Sequence, residues 1–371
     1  MKKIIIVVYL ITLFLFTVFS YLFIDQNLFY LKDFFTGIAF NYREVTTFIY
    51  LTLIFLFSIF YYLFLWLINT KKLSMFEAKW LIGITVGILF FSYPAMLSYD
   101  IFNYLTTSKV AFYYHENPYV VMPIEFVNEP FLSFTRAANK IALYGPVWIF
   151  LTGIPYYLSF GNFIFLLFGF KLFITLFFVL TIILIWKMTK NLFQVALFAL
   201  NPLVLIETLM SGHNDIVMIF FALFSFYFLH RRNILFAAFF LFLSVFIKYA
   251  TIFLIPVFLY CLWQMYTKQR VEWEKIYQFS ALLMIFVFFL SPVREEIYSW
   301  YAIWFLGFIS LVSIKKFIYQ ASIIFSFSLL LRYMPYMLFG TYLAPVPALK
   351  NILTFIPLFL FTIYYVLKKK I

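Results

Sequence analysis

Asp100 closes the stretch Ser98-Tyr99-Asp100, where a long apolar run turns polar. A carboxylate at the mouth of a lipid-soluble helix is costly to hold, so its presence asks for a task. If residues 99–114 continue as an amphipathic helix along an interface, Asp100, Asn103, Tyr104 and Thr107 share one face at i, i+3, i+4 and i+7. A carboxylate flanked by amide and hydroxyl groups can take a proton from a hydroxyl substrate as a general base. The plainer alternative is a helix-terminal aspartate solvated at the interface.

A second constellation is Asn201-Pro202-Leu203, then Glu207, then Gly212-His213-Asn214-Asp215. Pro202 would kink a helix and free backbone carbonyls. Gly212 permits a tight turn, and Asp215 then begins the next helix at the positive end of its dipole. Capping alone accounts for Asn214 and Asp215, but a cap needs neither His213 nor Glu207. Lys248, in Phe246-Ile247-Lys248-Tyr249 between two apolar runs, must snorkel or pair with an anion such as phosphate. Arg294 and Arg332, at expected outer helix ends, could meet the same phosphate, whose geometry guanidinium matches.

The aromatic run Tyr298-Ser299-Trp300-Tyr301-Ala302-Ile303-Trp304 fits a headgroup-level anchor and a sugar-stacking platform equally well. His115 and Glu116 lack a partner at metal-ligand spacing, and the three histidines form no HxxH pair, so no dedicated zinc site is expected. A divalent cation is compatible with Asp100 but nothing indicates one; no cofactor is assigned. There is no phosphate-cradling glycine loop, kinase signature or serine nucleophile elbow.

The elements that must hold these residues are membrane helices. Of 371 residues, 66% are hydrophobic and 11% charged, with a mean hydropathy of +1.02. A water-facing exterior needs more charge than that, which excludes a soluble globular domain. Apolar runs of about 17–25 residues, the length that crosses a hydrocarbon core, recur along the chain. The expected spans are 4–24, 47–69, 80–97, 163–186, 192–210, 214–230, 233–247, 249–266, 276–291, 303–314, 317–331 and 351–367. Residues 147–160 read as an interfacial or re-entrant helix, because counting them as a span would put Lys187 and Lys190 outside. The fold class is therefore all-α: one polytopic membrane domain, 1–371, with about twelve spans, polar excursions at 25–46 and 98–146, and no internal repeat. Residues 98–146 read as a lid-like outer loop carrying interfacial helices.

Met1-Lys2-Lys3 and the apolar run to Phe23 read as an uncleaved signal anchor, since no small-residue cleavage site follows. Cys261 is the one cysteine, so no intramolecular disulfide can form. In a soluble protein the net charge of +13 would suggest nucleic acid, but here the basic residues are spaced between the spans. With the amino terminus inside, seventeen of the 27 Lys and Arg fall in inner loops, against only Glu77, Glu272 and Glu274. This positive-inside bias puts both termini in the cytoplasm and the Asp100 loop on the outer face of the cell membrane. The expected partner is the lipid bilayer, not nucleic acid.

Several blocks follow one another in order. They are Ser98-Tyr99-Asp100-Ile101-Phe102-Asn103-Tyr104, Glu116-Asn117-Pro118-Tyr119 and Tyr144-Gly145-Pro146-Val147-Trp148. Next come Asn201-Pro202-Leu203-Val204-Leu205, Gly212-His213-Asn214-Asp215, Lys248-Tyr249 before Pro256, and Tyr298-Ser299-Trp300-Tyr301. The set, spanning residues 80–304, resembles the GT-C glycosyltransferases, and within them the bacterial polyprenol-phosphomannose-dependent α-mannosyltransferases. The resemblance implies a GT-C-like fold, a polyprenyl-phosphate-sugar donor and a glycan or glycolipid acceptor. It implies transfer of a hexose, foremost mannose, with inversion at the outer face. Asp100 is then the base, His213, Asn214 and Asp215 line the same cavity, and Lys248 lies near the lipid phosphate with help from Arg294 or Arg332. Candidates for holding the sugars and acceptor are Asn103, Tyr104, His115, Glu116, Asn117, Tyr119, Tyr144, Glu207, His213, Asn214, Asp215, Trp300 and Tyr301. Two departures stand out. No second aspartate completes a DxD-like metal pair beside Asp100, and the residues after 304 carry no matching block.

A transporter or flippase of a lipid-linked sugar would show inverted repeats and a polar path through the whole membrane. No repeat is seen, and the unusual polar residues collect at one face. A non-catalytic scaffold would leave the Asp100 and His213 blocks without purpose. A membrane acyltransferase could recruit His213, but not Asp100 or Tyr144-Gly145-Pro146.

Overall fold

In hydrocarbon every backbone amide must be satisfied within its own segment, which leaves the helix as the form for such apolar runs. The computed structural model describes residues 2–31, 37–293, 296–313 and 316–370. It is 77% helix, with no strand among the described residues. Among the described residues seven helices are long and apolar enough to cross a membrane: Lys2–Phe23, Arg43–Asn69, Phe163–Thr189, Tyr249–Tyr266, Trp273–Val293, Lys316–Phe339 and Val346–Lys368. Leu192–Ala199 and Pro202–Met210, bent by 54° to each other, are together apolar enough for a broken span or a re-entrant loop. The chain is an all-α polytopic membrane protein.

The remaining expected spans are shorter than the apolar runs suggest. Met75–Phe90 and Asp215–His230 have 16 residues each, Ile234–Ile247 has 14 and Ala302–Ile309 has 8. Even 16 residues rise only about 24 Å, less than a hydrocarbon core of about 30 Å. Two of these helices are cut short by the polar residues of the site: Asp215 begins one and Lys248 ends another. Pro146–Leu158 is a 13-residue apolar helix, too short to cross, as a re-entrant segment would be.

The helix after Ser98 departs from expectation. It spans Asp100–Phe112, but every residue from Ile101 to Ser108 is buried. It does not lie along an interface with a wet polar face. It packs against Pro146–Leu158 and Phe163–Thr189, so its polar side chains point at protein. Apolar residues such as Ile101, Phe102 and Leu105 cover the opposite faces, which is why the whole turn sinks inward.

Three ties set the position of Asp100. Lys171, buried inside Phe163–Thr189, donates to the Leu89 carbonyl at 3.4 Å, to Ser92 Oγ at 3.0 Å and to the Ser92 carbonyl. An amine at the carbonyl end of Met75–Phe90 supplies hydrogen bonds to acceptors the helix leaves orphaned. Asp25 accepts from Tyr99 Oη and from Arg136, both at 3.0 Å, joining the turn after the first helix to the loop beside Asp100. Farther along, Glu129 pairs with Lys109 at 2.6 Å, accepts from Tyr114 Oη at 2.8 Å and caps the turn at Phe131 N at 3.0 Å.

The loop returns through Tyr144-Gly145-Pro146, and the structure gives each residue a reason. Pro146 opens its helix, where a missing N–H costs nothing. The Gly145 amide donates to the Ile247 carbonyl at 3.0 Å, and a Cβ there would collide with the Phe246 carbonyl. Only glycine lets this corner close on the helix break at Lys248.

Candidate functional site

Asn201 caps the helix that Pro202 starts, its Oδ1 accepting from Leu203 N at 3.0 Å while Nδ2 donates to Ser326 Oγ at 3.0 Å. Residues Ile206–Met210 then widen into a π-turn, and Glu207 is wholly buried within it. Such turns are rare and concentrate at functional sites. Gly212 takes φ +74°, a conformation strained for other residues, with Ile101 Cδ1 only 3.1 Å from where a Cβ would stand.

This reversal delivers His213 between two carboxylates. Its Nδ1 is 3.5 Å from Asp100 Oδ2, and its Nε2 is 3.3 Å from Glu207 Oε2. The imidazole is fully buried and lies face to face with Trp300, centroids 4.0 Å apart. Glu207 Oε1 accepts in turn from Tyr333 Oη at 2.7 Å. Burial alone would raise the Asp100 pKa, but His213, then the Lys248 charge and the Asn103 amide, outweigh it and hold the carboxyl below its ordinary range. Burial alone would lower His213, but Asp100 and Glu207 outweigh it and push the imidazole up to about 9. At neutral pH Asp100 is therefore a carboxylate and His213 an imidazolium.

Beside it lies a second charge pair. Lys248 Nζ is 2.9 and 3.1 Å from the two oxygens of the fully buried Asp215, which also accepts from Trp304 Nε1. The ammonium rests 4.6 Å from the Tyr301 ring centroid. Of the two expected fates of Lys248, snorkelling or pairing with an anion, the structure shows the second, with the buried Asp215 as the anion. The capping reading of Asn214 is corrected, since its side chain makes no cap bond.

A cavity of about 500 Å³ opens in front of Asp100. Asp100 and Asn103 line it together with Trp300, Tyr333, Arg43, Arg136, Lys140, Arg332, Lys350 and Glu296. Asn103 Nδ2 reaches Asp100 Oδ1 at 3.4 Å, and its Oδ1 accepts from Ala137 N at 3.3 Å. Arg332 is 5% exposed and donates to Thr354 Oγ1 at 2.9 Å, and Arg332 and Lys350 meet Glu296 at 3.5 and 3.2 Å. Five cations against two carboxylates leave this wall attractive to an anion.

Of the residues expected from sequence, Asp100, Asn103, Trp300 and Arg332 lie on the cavity wall. Tyr104, Tyr144, Glu207, His213, Asn214 and Asp215 are buried and outside its lining. Among them Glu207 meets His213, which meets Asp100 on the wall, Tyr104 Oη accepts from Asn214 N at 3.2 Å, and Asp215 pairs with Lys248. Tyr301 faces Lys248. His115, Glu116 and Asn117 are exposed in the loop: His115 takes φ +56°, and Asn117 accepts from Tyr119 N at 3.0 Å. Tyr119 donates to the Tyr144 carbonyl at 2.7 Å. This block shapes the loop and does not touch the cavity, because its short-range turn bonds keep it at the surface. Arg294 lies outside the described residues.

Sequence reasoning missed Arg43, Arg136, Lys140, Tyr333 and Lys350. Arg43 opens a long helix, and Lys350 sits in the first turns of another, so both look like ordinary headgroup cations. Arg136 and Lys140 were the available signal, two cations close together in the Asp100 loop. Among the described residues, no group of three His, Cys, Asp or Glu side chains is placed to hold a metal ion.

The MptA_B_family model, described as alpha-(1->6)-mannopyranosyltransferase, N-terminal domain, matches residues 30–264, well over half of the chain. No curated protein and no solved structure matches. The match takes in Asp100, Glu207, His213, Asp215 and Lys248, and stops before the segment that supplies Trp300, Arg332, Tyr333 and Lys350 to the site.

Proposed function

The chain belongs to this family of alpha-(1->6)-mannopyranosyltransferases, and from that premise we propose that it moves mannose from a polyprenyl-phosphate carrier to an acceptor hydroxyl at the outer membrane face. The observation that carries the reading is one cavity lined both by the Asp100 carboxylate and by a cluster of cations. A hydroxyl acceptor needs a base and a phosphate leaving group needs positive charge, and here the two face a common space. A lipid-linked donor also accounts for a catalytic chain sunk so deeply in helices that cross the bilayer.

In the proposed step the acceptor oxygen attacks the anomeric carbon and its proton passes to Asp100. The bond from that carbon to the phosphate oxygen breaks, and the electron pair leaves with the lipid phosphate. Arg332, with Lys350 and Arg43 near it, stabilises the departing charge. Guanidinium suits this task because its fork matches two phosphate oxygens. Trp300 and Asn103, on the same wall, are placed to stack and hydrogen-bond a sugar. A single displacement inverts the anomeric centre, so an α-linked product calls for a β-linked donor.

The test is transfer of radiolabelled mannose from polyprenyl-phosphomannose by membranes carrying wild type or Asp100→Asn. Loss of a general base should cost about 10²–10⁴-fold in rate. Full transfer by a folded Asp100→Asn protein would overturn the assignment of the base, and no transfer by a stable wild type would overturn the donor.

A further inference from the structure

We infer that Glu207, acting through His213, is a positioning residue that holds the Asp100 carboxylate in place as the base. The inference rests on the proposed transfer reaction and adds to it a second carboxylate that never meets substrate. Glu207 and His213 are both fully buried and off the cavity wall, so neither can hold a sugar. Both ends of their chain do reach the wall: Asp100 at 3.5 Å from one imidazole nitrogen, and Tyr333, whose hydroxyl donates to Glu207 at 2.7 Å.

The physical reason for such a chain is the cost of burying charge. A lone carboxylate in this setting would gain a proton and cease to be a base. A lone imidazolium beside it would lose its own proton to burial, leaving nothing to oppose that. Glu207 supplies the second negative charge that keeps the imidazole charged, and the charged imidazole keeps Asp100 ionised and fixed in direction. The groups facing this chain are Trp300 on the imidazole, Tyr333 and Tyr50 toward Glu207, and Lys248 and Tyr144 toward Asp100. Lys248 is engaged with Asp215, so Glu207 is the carboxylate in contact with His213 besides Asp100 itself.

The experiment compares pH profiles of mannose transfer from polyprenyl-phosphomannose to a synthetic α-mannoside by full-length wild type, Glu207→Gln and Glu207→Asp in detergent. For Glu207→Gln, kcat should fall about tenfold with donor KM unchanged. The basic limb should move down by about one pH unit, because the imidazole loses its supporting charge. Glu207→Asp should restore part of both. A uniform loss at every pH with unmoved limbs would mean a merely structural role and would overturn the inference. If Glu207→Gln does not fold, Tyr333→Phe takes its place. Removing the hydroxyl that donates to Glu207 should move the same limb, and an unmoved limb there overturns the inference equally. A wild type with no transfer at any pH instead defeats the underlying reaction.

Discussion

His213 and Trp300 lie face to face, with centroids 4.0 Å apart and planes 15° apart, and Tyr298 stacks on Trp300 at 4.5 Å. Trp300 lines the cavity and His213 is buried against its face, so the indole stands between the reaction space and the imidazole. An imidazolium against an indole face gains cation–π attraction of about 0.5–2 kcal/mol, the more so when desolvated.

Trp300→Leu should therefore lower kcat about threefold to thirtyfold by loosening His213, and Trp300→Phe should retain most of the rate. Steady-state kinetics on both variants checks this. An effect confined to KM would instead assign the indole to sugar binding alone.

Lys248→Met should destabilise the protein by about 3–5 kcal/mol, because it leaves Asp215 charged and unpaired in a buried site. Lys248→Met combined with Asp215→Asn should recover most of that loss, with the amide oxygen still accepting from Trp304. Thermal unfolding in detergent reads both. Donor KM of the double variant should stay within about twofold of wild type, as Lys248 does not face the cavity.

The two pKa shifts make stability depend on pH in opposite directions. Asp100 is held below its ordinary value, so its contribution is present above that value and lost as pH falls through the folded one. His213 is raised from 6.5 to about 9, so its contribution is complete below 6.5 and lost as pH rises toward 9. The unfolding temperature should fall between those two pH values, and His213→Asn should remove that slope. A wild-type midpoint that is flat across the window would show that His213 is not held as an imidazolium.

Arg332→Gln should lower kcat/KM for polyprenyl-phosphomannose about 10–100-fold, since a charge-assisted contact to phosphate is lost. Its unfolding temperature serves as the control, because Arg332 also donates to Thr354. An unchanged kcat/KM in the folded variant would remove Arg332 from the phosphate site.

The membrane class and the helical fold were legible in the chain itself. Hydropathy and the cost of a charge beside lipid act on each residue locally, so a one-dimensional pattern carries them. The order of short blocks also led to the mannosyltransferase family that the match over residues 30–264 supports. Partnership was not legible. Tyr333 meets Glu207 across 126 residues, and Asn201 meets Ser326 across 125, contacts that no local pattern encodes. Nor does a lysine between apolar runs declare which anion it will find: the fold puts Asp215 beside Lys248 at 2.9 Å. Sequence determined which groups lipid would not tolerate. Only the tertiary structure decided which of them neutralise one another and which are left facing a cavity, because desolvated charges are set by their nearest opposite charge, and that distance exists only after the helices have packed.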